Sequence, residues 1–71
     1  MRAIIETFDN SDGTATAAIA RIYDDNGRVI NTHQTKFYRE YPRAVRAFSS
    51  AESTLKIYFR KRLMTCTIER A

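Results

Sequence analysis

The sequence predicts an α+β fold of order β-β-β-α-β. A three-stranded antiparallel meander is followed by one amphipathic helix packed on one sheet face, then by a C-terminal fourth strand. Three observations carry this. The first half alternates β-prone runs with Asp/Asn/Gly clusters, the pattern of strands and turns. About twenty residues after the single proline repeat apolar side chains at helical spacing. The closing residues Met64–Glu69 alternate apolar and polar, the two-residue period of a half-buried strand. The chain of 71 residues, 44% hydrophobic, is expected to form one small domain, residues 1–71.

The first strand is expected over Ala3–Phe8, whose Ile, Thr and Phe suit a pleated surface. Asp9-Asn10-Ser11-Asp12-Gly13 reads as a turn, since short polar side chains and glycine accept bent backbone. The second strand, Thr14–Tyr23, is rich in alanine, so a helix competes there. Its shortness, its two threonines and the Asp24-Asp25-Asn26-Gly27 hairpin signal favour a strand. A third strand is expected over Arg28–Tyr38. Two hairpin registers are open. A two-residue Asn26-Gly27 turn sets Tyr23 opposite Ile30, whereas a type I turn with a Gly27 bulge sets Ile22 there. The choice leaves the face of His33 undecided.

Pro42 fits the first turn of the helix, where its missing N–H costs nothing. Steps of 100° gather Ala44, Ala47, Phe48, Ala51, Leu55, Tyr58 and Phe59 on one side, with Arg46, Ser49, Ser53, Lys56 and Arg60 opposite. Ile57 falls on the polar side. The helix is expected to end near Arg62, with Arg60-Lys61-Arg62 complementing its dipole. In the last strand Met64, Cys66 and Ile68 point inward. One sheet face then lies under the helix. The other is left to solvent or a partner, with threonines, charges and a few larger groups. So small a fold is expected to pair with a second copy through a sheet edge or the helix.

Little in the chain favours catalysis. His33 is the only histidine, and Cys66, the only cysteine, alternates inward as a core thiol, so a nucleophile pair is not expected. Asp24-Asp25-Asn26-Gly27 lacks the spaced ligands of a calcium loop, and the two glycines are too far apart to cradle a phosphate. No cofactor and no metal are expected, and the chain is expected not to be an enzyme. The opening MRAIIETFD has no long apolar run, so neither a signal peptide nor a membrane segment is expected. A single free thiol suits a reducing cytoplasm.

Charge is the stronger signal. Residues 1–35 carry three arginines against five acids, net −2, and residues 36–71 carry nine basic residues against three acids, net +6. The stretch KFYREYPRAVRAF, Lys36 to Phe48, mixes arginines with aromatics, but much of that mixture is a strand end laid against a helix start. Lys36, Arg39, Tyr41, Arg43 and Arg46 remain at one corner, continued along the helix by Lys56 and Arg60. These seven are the candidate partner- or phosphate-binding residues.

Two roles follow. In the first, a small protein-binding modulator or inhibitor sets its basic helix face against an acidic protein surface, such as that of a nucleic-acid-handling protein. In the second, the same residues bind DNA or RNA directly, mainly through phosphates. Three strands and a helix look in outline like small DNA-binding domains that place a sheet in the major groove. With a fourth strand the order resembles the partial ribonuclease-H-like layout of some small antitoxins. The second resemblance implies a protein-binding module, in the size and charge class of small phage- or plasmid-encoded inhibitors.

Overall fold

The computed structural model describes residues 1–71 and has the β-β-β-α-β order. The strands are β1 (Arg2–Asp9), β2 (Thr16–Tyr23), β3 (Val29–Gln34) and β4 (Thr67–Arg70), with one helix, α1 (Arg43–Lys61), before β4. They form one sheet in the order β3-β2-β1-β4. β1 and β2 run antiparallel with Ile5 opposite Ala20, and β4 lies parallel to β1 with Ile68 opposite Ala3. The meander therefore grows outward from β1, and the helix carries the chain back across the sheet to the far side of β1.

Alternation sets the two faces. Ala3 and Ile5 of β1 and Ala18, Ala20 and Ile22 of β2 point under the helix, against Ala47, Ala51, Leu55 and Phe59 at a strict four-residue spacing. Seven of the eleven buried hydrophobic residues are alanine, and Ile5 is the one large side chain that is fully buried. Small side chains on both surfaces let helix and sheet approach closely. They also leave little apolar area to stabilise the fold. Phe48, Tyr58, Met64, Cys66 and Ile68 pack around the rim of this core, and Arg62 and Arg70 cover the Tyr58 and Phe48 rings at 3.9 and 4.2 Å.

The hairpin between β2 and β3 combines both expected registers. Gly27 N–H bonds Asp24 C=O at 3.0 Å, and Gly27 has φ +80°. This is the type I turn with a glycine bulge, and it sets Tyr23 opposite Val29. The register then slips by one residue, so Ile22 faces Asn31 and Ile30 is left without a partner. His33 falls opposite Ala20, on the helix side of the sheet but exposed at its edge.

β3 ends at Gln34 rather than Tyr38. Thr35 Oγ1 accepts the Ala18 N–H at 2.9 Å, displacing the backbone carbonyl from the ladder. Pairing resumes only as a single bridge between Thr16 and Tyr38. β2 likewise starts at Thr16, because Asn10 Oδ1 takes the N–H groups of Thr14 and Ala15 for the turn. The open face is more apolar than expected. Phe8 meets Phe37 edge-to-face at 5.7 Å, and Ala17, opposite Phe8, is fully buried there.

Pro42 is the residue before the helix, not in its first turn. Its backbone is extended (φ −87°, ψ 107°), while its carbonyl accepts the Arg46 N–H at 3.0 Å, as a cap residue does. The Tyr41–Pro42 peptide is cis. Ala44, expected in the apolar stripe, is exposed, because the first helical turn borders a surface cleft instead of the sheet.

At the other end the chain reverses through two bonds, Met64 N–H to Phe59 C=O at 2.9 Å and Leu63 N–H to Arg60 C=O at 3.2 Å. This Schellman arrangement puts Leu63 in the left-handed region at φ 52°, with its side chain 95% exposed. A leucine there carries a steric cost of about 1–2 kcal/mol and contributes almost no burial in return. Leu63→Gly is expected to raise stability by about 1 kcal/mol and the melting temperature by roughly 4–8 °C in thermal denaturation. An unchanged or lower melting temperature would count against strain at this residue. β4 then begins at Thr67, later than the Met64 expected, because this reversal uses Met64.

Candidate functional site

The seven candidate residues fall into two groups. Arg39, Tyr41 and Arg43 line a shallow cleft of about 410 Å³ with Asp9, Thr16, Pro42, Ala44 and Val45. Lys36, Arg39 and Arg46 line a second cleft of about 370 Å³ with Phe37, Tyr38 and Glu40. The two clefts share Arg39, so five of the candidates form one continuous corner around the β3–α1 connection. Lys56 and Arg60 stand apart. At 1.5 Å per helical residue they lie roughly 15 and 21 Å along the axis from Arg46, beside a recess formed with Phe59, Met64 and Cys66.

Within the corner the cations have different surroundings. Arg43 lies inward, donating to Thr16 Oγ1 at 3.1 Å, with a guanidinium nitrogen 3.8 Å from Asp9. Thr16 Oγ1 donates in turn to Asp9 at 2.6 Å. Arg43 therefore ties the helix start to the β1–β2 hairpin, and Asp9 offsets its charge. Arg39 donates to Thr14 Oγ1 at 2.9 Å, while that hydroxyl donates to Asp12 at 2.6 Å. These Thr14 hydrogen bonds, with a smaller contribution from Arg39, hold the Asp12 carboxyl below its usual range. Arg39 is thus oriented by a neutral hydroxyl, with no carboxylate in ion-pair contact.

Arg46 donates to the Tyr41 carbonyl at 3.3 Å, which positions it beside the tyrosine without neutralising it. Tyr41 is 91% exposed, the most exposed aromatic side chain in the protein. The Lys36 ammonium lies 5.2 Å from the Tyr38 ring centre. Down the helix, Lys56 approaches Glu52 at 4.0 Å, one turn earlier, while Arg60 makes no ion pair. The corner is therefore amphipathic: Tyr41, Pro42 and half-exposed Val45 lie among Lys36, Arg39 and Arg46.

Asp9, Thr14 and Thr16 are structural members of this corner that periodicity alone does not reveal. They arrive from the first hairpin, more than twenty residues before the helix, and Asp9 and Thr14 have the appearance of ordinary turn residues. The one advance signal was their charge and hydroxyl chemistry, which any turn shares.

No three His, Cys, Asp or Glu side chains gather to hold a metal ion, and no helix is long and apolar enough to cross a membrane. Burial pushes the Cys66 thiol above its usual pKa. The thiolate fraction at a given pH is therefore smaller, and the onset of reactivity moves to higher pH. Alkylation by iodoacetamide at neutral pH is expected to be slower than that of a free cysteine peptide. A rate equal to or above the peptide's would contradict this.

Comparison with protein-family models, curated proteins and solved structures finds no match for the chain.

Proposed function

We propose that this chain is a small non-enzymatic protein that binds and modulates a second protein through the Lys36–Arg46 corner. The observation that carries the reading is the exposure of Tyr41 between Arg39 and Arg46. A rigid aromatic side chain flanked by arginines without carboxylate partners is the composition that dominates protein-binding hot spots. The flanking cations fit an acidic partner surface, as on a protein that handles nucleic acid. Lys56 and Arg60 extend the positive field along the helix and steer association rather than anchor it. The layout supports this role, because β4 joins the sheet beside β1. That is the four-strand outline of the antitoxin-like modules, not the three-strand outline of the sheet-type DNA binders. The likeness is one of layout alone.

The test is paired. Co-purification from the native host, with the wild-type chain and with an Arg39→Glu/Arg46→Glu variant in parallel, is expected to recover one acidic protein with the wild type only. The same two chains are titrated against duplex DNA, single-stranded DNA and RNA at about 50 mM salt. Binding to nucleic acid that weakens with salt at a log–log slope of roughly 0.7–0.9 per phosphate, and is lost in the variant, would replace the protein-binding reading with a direct one.

A further inference from the structure

We propose that the cleft lined by Lys36, Arg39 and Arg46 binds a phosphate monoester, carried on a phosphorylated side chain of the protein partner. This rests on the reading of the corner as a partner-binding surface and names the chemical group that the partner presents there.

Three of the six residues that line this cleft of about 370 Å³ are cations. None of the three has a carboxylate within ion-pair distance, whereas Arg2, Arg21, Arg43 and Lys56 each have one. Glu40 also lines the cleft but pairs with none of them. Three cations against one acid leave the lining at net +2. Asp12 lies behind Arg39, across the Thr14 hydroxyl, and is not part of the lining.

Each guanidinium keeps one complete edge for a bidentate contact. Arg39 uses Nη1 to reach Thr14 Oγ1 at 2.9 Å, which leaves its Nε and Nη2 edge unused. Arg46 uses Nε to reach the Tyr41 carbonyl at 3.3 Å, which leaves its Nη1 and Nη2 edge unused. Both anchors are neutral oxygens, so they order the arginines without offsetting their charge. A site ordered in advance loses less side-chain freedom when its ligand arrives. The Lys36 ammonium lies 5.2 Å from the Tyr38 ring centre and brings further N–H donors to the same cleft.

Charge and geometry together select the monoester. It carries about −1.5 to −2 at neutral pH and has three acceptor oxygens. Those match a lining of net +2, two arginine edges and one ammonium. A carboxylate brings a single charge and two oxygens, enough for one edge. A phosphodiester of a nucleic-acid backbone also brings a single charge, and so leaves the cleft positive. Phe37, 40% exposed, stands on the cleft wall, and Tyr41 lies beyond Arg39. They offer aromatic contact to the polypeptide on either side of the phosphate.

The probes are capped tripeptides centred on phosphoserine, phosphotyrosine or glutamate, titrated at about pH 7.5, where the monoester is a dianion. At least one phosphorylated probe is expected to bind with a Kd of about 1 mM or below, shifting the amide resonances of residues 36–46. The glutamate probe is expected to bind at least about tenfold more weakly. Arg46→Lys keeps the charge, removes the fork and is expected to lose that preference. Lys36→Gln, outside the helix, gives a second measurement should the first variant misfold, and is expected to weaken the phosphorylated probe about threefold or more. Lys61→Gln removes an exposed cation outside the cleft and is expected to bind like wild type. Equal affinity for phosphorylated and glutamate probes overturns the proposal, as does a preference that survives both Arg46→Lys and Lys36→Gln. A 5′-phosphorylated oligonucleotide that binds more tightly than either phosphorylated tripeptide, and than its 5′-hydroxyl form, would move the carrier from protein to nucleic acid. Capture of the partner is expected to be lost when the host lysate is first treated with phosphatase. Capture that survives phosphatase, yet is lost in Arg39→Glu/Arg46→Glu, overturns the phosphate site alone and leaves the partner-binding reading standing.

Discussion

Ile5→Ala is expected to remove a large share of the stability of the fold. A 71-residue domain has on the order of 4–11 kcal/mol to lose. Truncating a fully buried isoleucine costs about 2–5 kcal/mol, part from lost transfer energy and part from the cavity left behind. The upper half of that range applies here. Ile5 sits in β1, between β2 and β4, beneath the helix. Its cross-strand neighbour on β2 is Ala20, and much of the surrounding core is alanine, which has no side-chain freedom with which to refill the space. In urea the midpoint is expected to fall by roughly 2 M or more at an unchanged slope. Ile57→Ala is the matched control. Ile57 is 53% exposed on the polar side of the helix, so the same deletion there is expected to stay within about 0.5 kcal/mol of wild type. Equal losses from the two substitutions would show that the core is not centred on β1.

This contrast was readable in the sequence only in part. The helix stripe follows from local spacing, so Ala47, Ala51, Leu55 and Phe59 inward, and Arg46, Lys56, Ile57 and Arg60 outward, could be assigned without a structure. The inward alternation of Met64, Cys66 and Ile68 is local in the same sense. Whatever depends on a distant partner could not be read. Strand order is one case: nothing in residues 67–70 says that they lie beside β1 rather than β3. The register of β3 is another. The glycine turn favours one pairing, but the slip at Ile30 gives the rest of the strand the other, so the two expected alternatives each hold over part of the hairpin. Thr35 interrupts the strand because its hydroxyl competes for a backbone N–H, a contest that β-propensity does not register.

The same division runs through the candidate site. Periodicity placed Arg46, Lys56 and Arg60 on the outer helix face, where they are. It gave no reason to separate Arg43 from Arg46, three residues apart and of one type. The separation comes from Asp9 and Thr16, which the β1–β2 hairpin carries to the helix start. Arg43 is thereby drawn into holding the hairpin to the helix, and its neighbours are left with their charge available. A charge count over this stretch overstates what a partner would meet.

Tyr41→Ala and Arg46→Glu are therefore expected to weaken partner binding strongly and stability hardly at all. Removing an aromatic or arginine hot spot costs at least about 2 kcal/mol of binding, which is roughly 30-fold in affinity. Neither side chain carries much of the fold. Tyr41 is almost wholly exposed, and Arg46 contributes one long hydrogen bond to a carbonyl. Both variants are expected to melt within about 0.5 kcal/mol of wild type. Arg43→Ala should show the opposite balance, losing about 1 kcal/mol of stability with its Thr16 and Asp9 contacts. Lys56→Glu with Arg60→Glu should act mainly on the association rate, with an effect that fades as salt rises, because exposed charges roughly 15 and 21 Å from the anchor steer more than they hold. Calorimetric titration of the captured partner separates anchoring from steering, when combined with stopped-flow association at two salt concentrations. If Tyr41→Ala binds like wild type while Lys56→Glu/Arg60→Glu loses affinity at both salt concentrations, the anchor lies at the far end of the helix, and the corner is only a scaffold joining hairpin to helix.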